Sequence, residues 1–172
     1  MSAPHPDVIP LLEKQLTHEL QAAQSYLALA YWCDVEHWSG YSRFFHKQTS
    51  EEREHAERFL KHLADRDIVP KIGALEAPKH DYRDLEECAR AAYELERANT
   101  RGIHECYAGA VQHGDLPAQV MLHWFINEQV EEEAWSDKML TKTRRAACSG
   151  ALQYLDRHLE KELAGEDSAA ES

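Results

Sequence analysis

The chain has 172 residues, 31 acidic against 19 basic side chains and a formal net charge of -12. That length suits one domain with a closed core, and so negative a field excludes a nucleic-acid partner, because phosphate binding needs a positive surface; metal cations are its natural counterpart. The four cysteines (Cys33, Cys88, Cys106, Cys148) form no CxxC pair, no basic-then-apolar leader opens the chain, and no window approaches the ~18 apolar residues of a membrane span, so a soluble, cytoplasmic protein with reduced thiols and no membrane contact is expected.

Seven glycines and six prolines cluster at a few points and leave long segments rich in Ala, Leu, Glu, Lys and Arg, an all-α composition. The first helix is expected over about 7–37, with Asp7 as cap and Pro10 in its first turn, and Ser39 and Gly40 making the turn that follows. The second runs over about 40–67. Pro70, Gly73 and Pro78 mark roughly a dozen irregular residues before a third helix at about 81–113, starting near Asp81. Asp115 then caps a fourth helix, about 115–143, with Pro117 in its first turn. A shorter fifth helix, about 147–163, completes a domain spanning 1–164, and the polar tail 165–172 is expected to be disordered. Two short connections around one long link describe a four-helix bundle in which a crossover makes the second and third helices parallel.

Each helix carries an apolar stripe at i, i+3/i+4, i+7 spacing, and each stripe contains an intruder. Leu12, Leu16, Glu19, Ala23, Tyr26 and Ala30 form the first. Phe45, Gln48, Glu52, His55, Phe59 and His62 form the second. Ala89, Ala92, Glu96, Asn99 and Ile103 form the third, and Phe125, Gln129, Glu132, Ser136 and Met139 the fourth. A buried carboxylate costs several kcal/mol unless paired, and the four stripes contain no Lys or Arg, so one carboxylate per helix at mid-length asks for a shared cation. A lone Glu-x-x-His such as Glu52-His55 is ordinarily a solvated face carrying an ion pair. Combined with one glutamate from each other helix, it matches the ligand set of a di-iron carboxylate bundle.

The segment Ser50-Glu-Glu-Arg-Glu-His-Ala-Glu57 resembles the second-helix signature of ferritins, and Asn127-Glu-Gln-Val-Glu-Glu132 resembles their fourth-helix motif. Glu19 with Tyr26, and Tyr93-Glu-Leu-Glu96, fall where ferritins keep their first- and third-helix site residues, so the resemblance covers nearly the whole chain. It implies a ferritin-like four-helix bundle with a long crossover and a short C-terminal helix. One iron is expected on Glu19, Glu52 and His55 and a second on Glu52, Glu96 and Glu132, with Tyr26 and Gln129 beside them. Prokaryotic-type non-haem ferritins add a third iron position, which Glu51, Glu128 and Glu131 match. The implied activity is oxidation of Fe(II) to Fe(III) by O2 or H2O2, with ferric mineral stored in a homo-oligomeric cage of 24 subunits packed through the fifth helix. On the second helix Glu51, Glu54 and Glu57 centre roughly 130° from Glu52 and His55, which by the same resemblance makes them an inward acidic row; a solvated face is the plain alternative.

Haem-binding bacterioferritins fit less well, since Arg53 and Gln129 stand where they keep methionine and the glutamate of Glu-x-x-His; no haem is expected. Gln119 and Leu122 occupy positions where animal ferritins line a channel with acids, and the nearby His113 and His123 read as ordinary polar or interface residues rather than ligands. The alternatives are a ferritin-like di-iron oxidase or peroxidase without a storage cage, and a helical scaffold whose acids pair with core bases.

Overall fold

The computed structural model describes residues 4–146 and 148–170, with side chains to Lys161. Among the described residues five helices follow one another: α1 (Ile9–Val35), α2 (Ser39–Ala64), α3 (Leu85–Gln112), α4 (Leu116–Arg145) and α5 (Ser149–Ala170). Among the described residues none forms a strand, and no helix is long and apolar enough to cross a membrane. The architecture is therefore the all-α bundle expected, with α1 packed on α2, α3 on α4, α1 on α3, and α5 laid across α2.

Several boundaries differ from those read in the sequence. Asp7 does not cap α1; the helix opens at Val8 without a side-chain cap, and the amides of Val8 and Ile9 turn back onto the His5 carbonyl. Asp84 rather than Asp81 caps α3, accepting from the Glu87 amide, so the link from α2 is longer than a dozen residues. Asp115 caps α4 as expected, accepting from the Ala118 amide. The first turn lies not at Ser39-Gly40 but at His37, whose left-handed φ of 62° reverses the chain before α2 begins. The fifth helix extends to Ala170, beyond the end expected at 163 and through most of the proposed tail; residues 147, 171 and 172 lie outside the described set.

The long link is strapped to α1 by one side chain per turn. Glu13 accepts from the Lys71 amide at 3.0 Å, Thr17 from the Gly73 amide at 2.9 Å, and Gln21 both accepts from the Glu76 amide at 2.7 Å and donates to its carbonyl at 3.1 Å. These bonds satisfy the polar backbone of an otherwise irregular segment and carry it along α1, which makes α3 parallel to α2.

The core divides in two. Leu12, Leu16, Phe59, Leu63, Ile103, Leu122 and Phe125 fill one end, and Tyr26, Leu29, Tyr41, Phe45, Leu85 and Met139 fill the other. The polar residues of the four stripes, His62 apart, occupy the layer between them. At the first end Arg66 is buried against Asp115, with Nη1 2.8 Å from Oδ1, so the acid that caps α4 also anchors the end of the second hairpin helix. Cys33, Cys88 and Cys106 are buried and Cys148 is exposed, all free.

The α2 N-terminus lacks a cap from its own chain neighbours, and α5 supplies one: Asp156 accepts from the Tyr41 amide at 3.0 Å. Gly40 makes the approach possible, because a Cβ there would stand 1.9 Å from the Asp156 carbonyl oxygen. Since that obstacle is backbone, Gly40→Ala should push α5 off the bundle at a cost of about 1–3 kcal/mol. The expected result is faster tryptic cleavage around Arg144 and Arg145 with the helical circular dichroism of the bundle retained.

Candidate metal centre

The helix spacing that placed glutamates in apolar stripes brings them to one depth in the bundle. Glu19 and Glu96 are 0 % exposed and Glu52 is 1 % exposed, and His55, Gln129 and Glu132 are buried with them. Glu19, Glu52 and His55 form a group whose donor atoms lie within 4.8 Å of one another. His55 Nδ1 stands 3.4 Å from Glu52 Oε2 and 3.9 Å from Glu19 Oε2.

Three of the four carboxylates have dedicated donors. Glu19 accepts from Gln15 at 2.9 Å and from Asn99 at 3.0 Å, while Gln15 also donates to Asn99 at 2.6 Å. Glu96 accepts the Tyr26 hydroxyl, and the Gln129 amide reaches the Glu96 carbonyl at 3.3 Å and the Thr100 hydroxyl at 3.1 Å. Glu132 accepts the indole N–H of Trp135. Glu52 differs: its Oε2 and the His55 Nδ1 are buried without any hydrogen-bond partner. A buried acceptor left unmade costs about 1–3 kcal/mol, and two facing each other are satisfied together by a cation that takes both lone pairs. Carboxylate oxygens with one imidazole suit a first-row divalent metal with hard character, Fe(II) among them.

His55 is fixed edge-on against Trp124 and Phe125, at ring-centroid distances of 5.5 and 5.7 Å, and Arg58 stacks over Trp124 at 3.7 Å. The imidazole therefore has its Nδ1 facing the carboxylates while its ring edge packs on aromatic carbon.

The acidic positions offered for a third metal lie toward the rim. Glu51 and Glu128 are half-buried and Glu131 is exposed. The Gln48 amide donates to Glu51, and burial raises the Glu51 carboxyl, with Glu128 and Glu54 adding to that shift against Lys47 and His55. Glu54 and Glu57 are exposed, as their helical phase requires.

Sequence reading missed Gln15 and Trp135 as partners of site carboxylates. Gln15 lies one position before the Leu16 of its stripe, and Trp135 one before Ser136, so neither interrupts an apolar pattern. Gly102 is the trace that Gln15 leaves in the sequence, because a Cβ there would stand 1.9 Å from the Gln15 Oε1.

Electrostatics follow from this crowding. Burial, then the Glu52 charge, drives Glu19 well above the usual carboxylate range, and burial, then the Glu96 charge, does the same to Glu52. Burial lifts Glu96 to about 7 and Glu132 to about 8. Tyr26 is also raised, by burial and then by Glu96, so its hydroxyl remains a donor. Acids whose folded pKa exceeds the unfolded value of about 4.3 bind extra protons in the folded state, so stability falls as pH rises from there through the folded pKa. In the presence of a chelator the melting temperature should therefore drop between pH 5.5 and 8. Glu52→Gln should raise it at pH 8 by about 2–4 °C, the equivalent of about 1 kcal/mol, with little gain at pH 5.5; an equal or larger gain at pH 5.5 contradicts the repulsion argument.

The ferritin-like domain family matches residues 9–146. A bacterial non-heme ferritin of Staphylococcus aureus is 32% identical over 157 residues, 91% of this chain and 93% of the relative, and one of Escherichia coli is 30% identical over 155 residues, 90% and 94% of the two chains. An open pore ferritin from the hyperthermophilic archaeon Archaeoglobus fulgidus superposes with a TM-score of 0.88 at 29% identity, covering 91% of this chain and 98% of its own. With a full set of bundle carboxylates, a histidine aimed among them and these likenesses over nine-tenths of its length, the chain belongs to the ferritin family.

Proposed function

We propose that this chain is an iron-storage subunit that oxidises Fe(II) at a paired site and passes the ferric product to a mineral held inside a cage of 24 copies. The single observation that carries the first half is the pair of unpartnered buried atoms, Glu52 Oε2 and His55 Nδ1, within one carboxylate group. Iron is the substrate, and two Fe(II) supply the two electrons that reduce one O2 or H2O2.

One iron would be held by Glu19, Glu52 and His55, and the other by Glu52, Glu96 and Glu132, with Glu52 common to both. Binding replaces the protons that the raised carboxyls hold, so a neutral layer takes up cations without acquiring a buried net charge. Gln15 and Asn99 fix Glu19, and Tyr26 and Gln129 fix the Glu96 limb, while Glu132 exchanges its Trp135 bond for metal. Glu51, Glu128 and Glu131 form the third position, placed at the rim where ferric product leaves. Glu54 and Glu57 continue that acidic surface. A cytoplasmic location is part of the same proposal.

For the cage, support comes from α5, which is docked on the end of its own bundle through Asp156 and still exposes Tyr154. A di-iron oxidase without storage would share the paired site and differ in assembly. The two are separated by mass in solution, since 24 copies of a 19.8 kDa chain weigh about 475 kDa.

Stopped-flow oxidation of Fe(II) in aerobic buffer should show a fast phase that saturates at about two irons per chain. Glu52→Ala, which removes the shared ligand, should slow that phase by at least about 100-fold while preserving the helical spectrum. Oxidation no faster than in protein-free buffer would sink the assignment.

A further inference from the structure

A second cluster of histidine and carboxylate side chains lies at the end of the bundle away from α5. His5 and Asp7 sit in the turn that opens α1, and His113 directly follows the last residue of α3. Asp7 Oδ2 stands 3.7 Å from His5 Nδ1 and 3.8 Å from His113 Nε2, and the three donor atoms lie within 4.8 Å of one another. The two imidazoles are stacked face to face, 4.2 Å between centroids and 21° from parallel. The group is about 25 Å from Glu96, measured along α3 at about 1.5 Å per residue, so it is no part of the carboxylate layer.

We propose that His5, Asp7 and His113 form a site for a borderline divalent cation of the first transition row, such as Zn2+ or Fe2+. Two nitrogens and one oxygen are the donor set such ions prefer, whereas Ca2+ and Mg2+ seek oxygen alone. Bonds of about 2.0–2.2 Å place ligand atoms about 3.3 Å apart, so the Asp7 oxygen is close to ligand spacing from both nitrogens, and rotation of the exposed side chains brings the two imidazoles, within 4.8 Å of each other, onto the same ion. His5 Nδ1 accepts a long 3.3 Å bond from the Asp7 amide, which an ion on that nitrogen would replace. The C-terminus of α3 adds the negative end of its helix dipole, which favours a cation beside His113.

With His5 and Asp7 exposed and His113 half-buried, three protein ligands leave the remaining positions to water, so the bound ion exchanges freely. It also ties the segment before α1 to the α3–α4 corner, two regions far apart in the chain. His113, which reads in the sequence as an ordinary polar residue, gains its role only because folding brings His5 and Asp7 to it.

The experiment is calorimetric titration of the full chain with ZnCl2 at pH 7.5, comparing the unaltered protein with His5→Ala/His113→Ala and with His113→Ala alone, together with zinc anomalous diffraction from crystals of the unaltered protein. Both variants should lose one zinc equivalent per chain while keeping the equivalents bound by the buried carboxylates, and an anomalous peak should lie between His5, Asp7 and His113. A tenfold excess of Mg2+ should leave that equivalent in place. Unchanged stoichiometry in both variants, no peak at these three residues, or displacement by Mg2+ would each overturn the proposal.

Discussion

Mutual repulsion among Glu19, Glu52, Glu96 and Glu132 is the constraint on which the rest of the bundle depends. Each acid is cut off from water, and together they would place a concentrated negative charge where solvation is weakest. The chain meets this unevenly. Glu19, Glu96 and Glu132 are each tied to neutral donors, whereas Glu52 has a bare oxygen turned toward the bare nitrogen of His55. The central carboxylate is the one with an oxygen left unpartnered, and it is the one that would be shared between two metals. Cohesion comes from elsewhere: apolar clusters above and below the layer pack the four helices whatever the charge state between them. The site can therefore be poor in intrinsic stability without the bundle losing its shape.

The fold and the buried carboxylate group were legible in the sequence to the extent that helical periodicity exposes a misfit. Glu19, Glu52, Glu96 and Glu132 stood out because each interrupts an apolar row, and the structure buries every residue named in the first, third and fourth rows. His62, at the end of the second, is only half-buried. Gln15 and Trp135 interrupt nothing, so their bonds to Glu19 and Glu132 had no signature. Arg66 escaped for the opposite reason: it lies past the end of α2 in a charged run, where burial against Asp115 depends on how the chain turns. Cap positions were ambiguous wherever acids crowd, as with Asp81 and Asp84, since composition cannot say which carboxylate meets an amide. The attachment of the link to α1 was invisible, because its acceptors are ordinary polar side chains and its donors are backbone amides.

Asp156 shows how one residue can join two tasks. It caps α2 from outside that helix and fixes α5 at the end of the bundle where α2 and α3 begin and α1 and α4 end. Burial raises its carboxyl while the amide of Tyr41 pulls the other way, and the contact sets an acid at a helix N-terminus, the favourable end of the dipole. The close approach also explains a glycine in the first turn of α2, a position where helix propensity would choose otherwise.

The strap between α2 and α3 acts as a length gauge. Glu13, Thr17 and Gln21 are successive grips about 6 Å apart on α1, and the link takes them in order at Lys71, Gly73 and Glu76. Slipping by one grip would slide α3 by the same distance and carry Glu96 out of the layer that holds Glu52. Insertions and deletions between Lys71 and Glu76 are thus barred for a reason foreign to most surface loops, whereas extra residues between Glu76 and Asp84 could bulge outward and leave the alignment of the four carboxylates untouched.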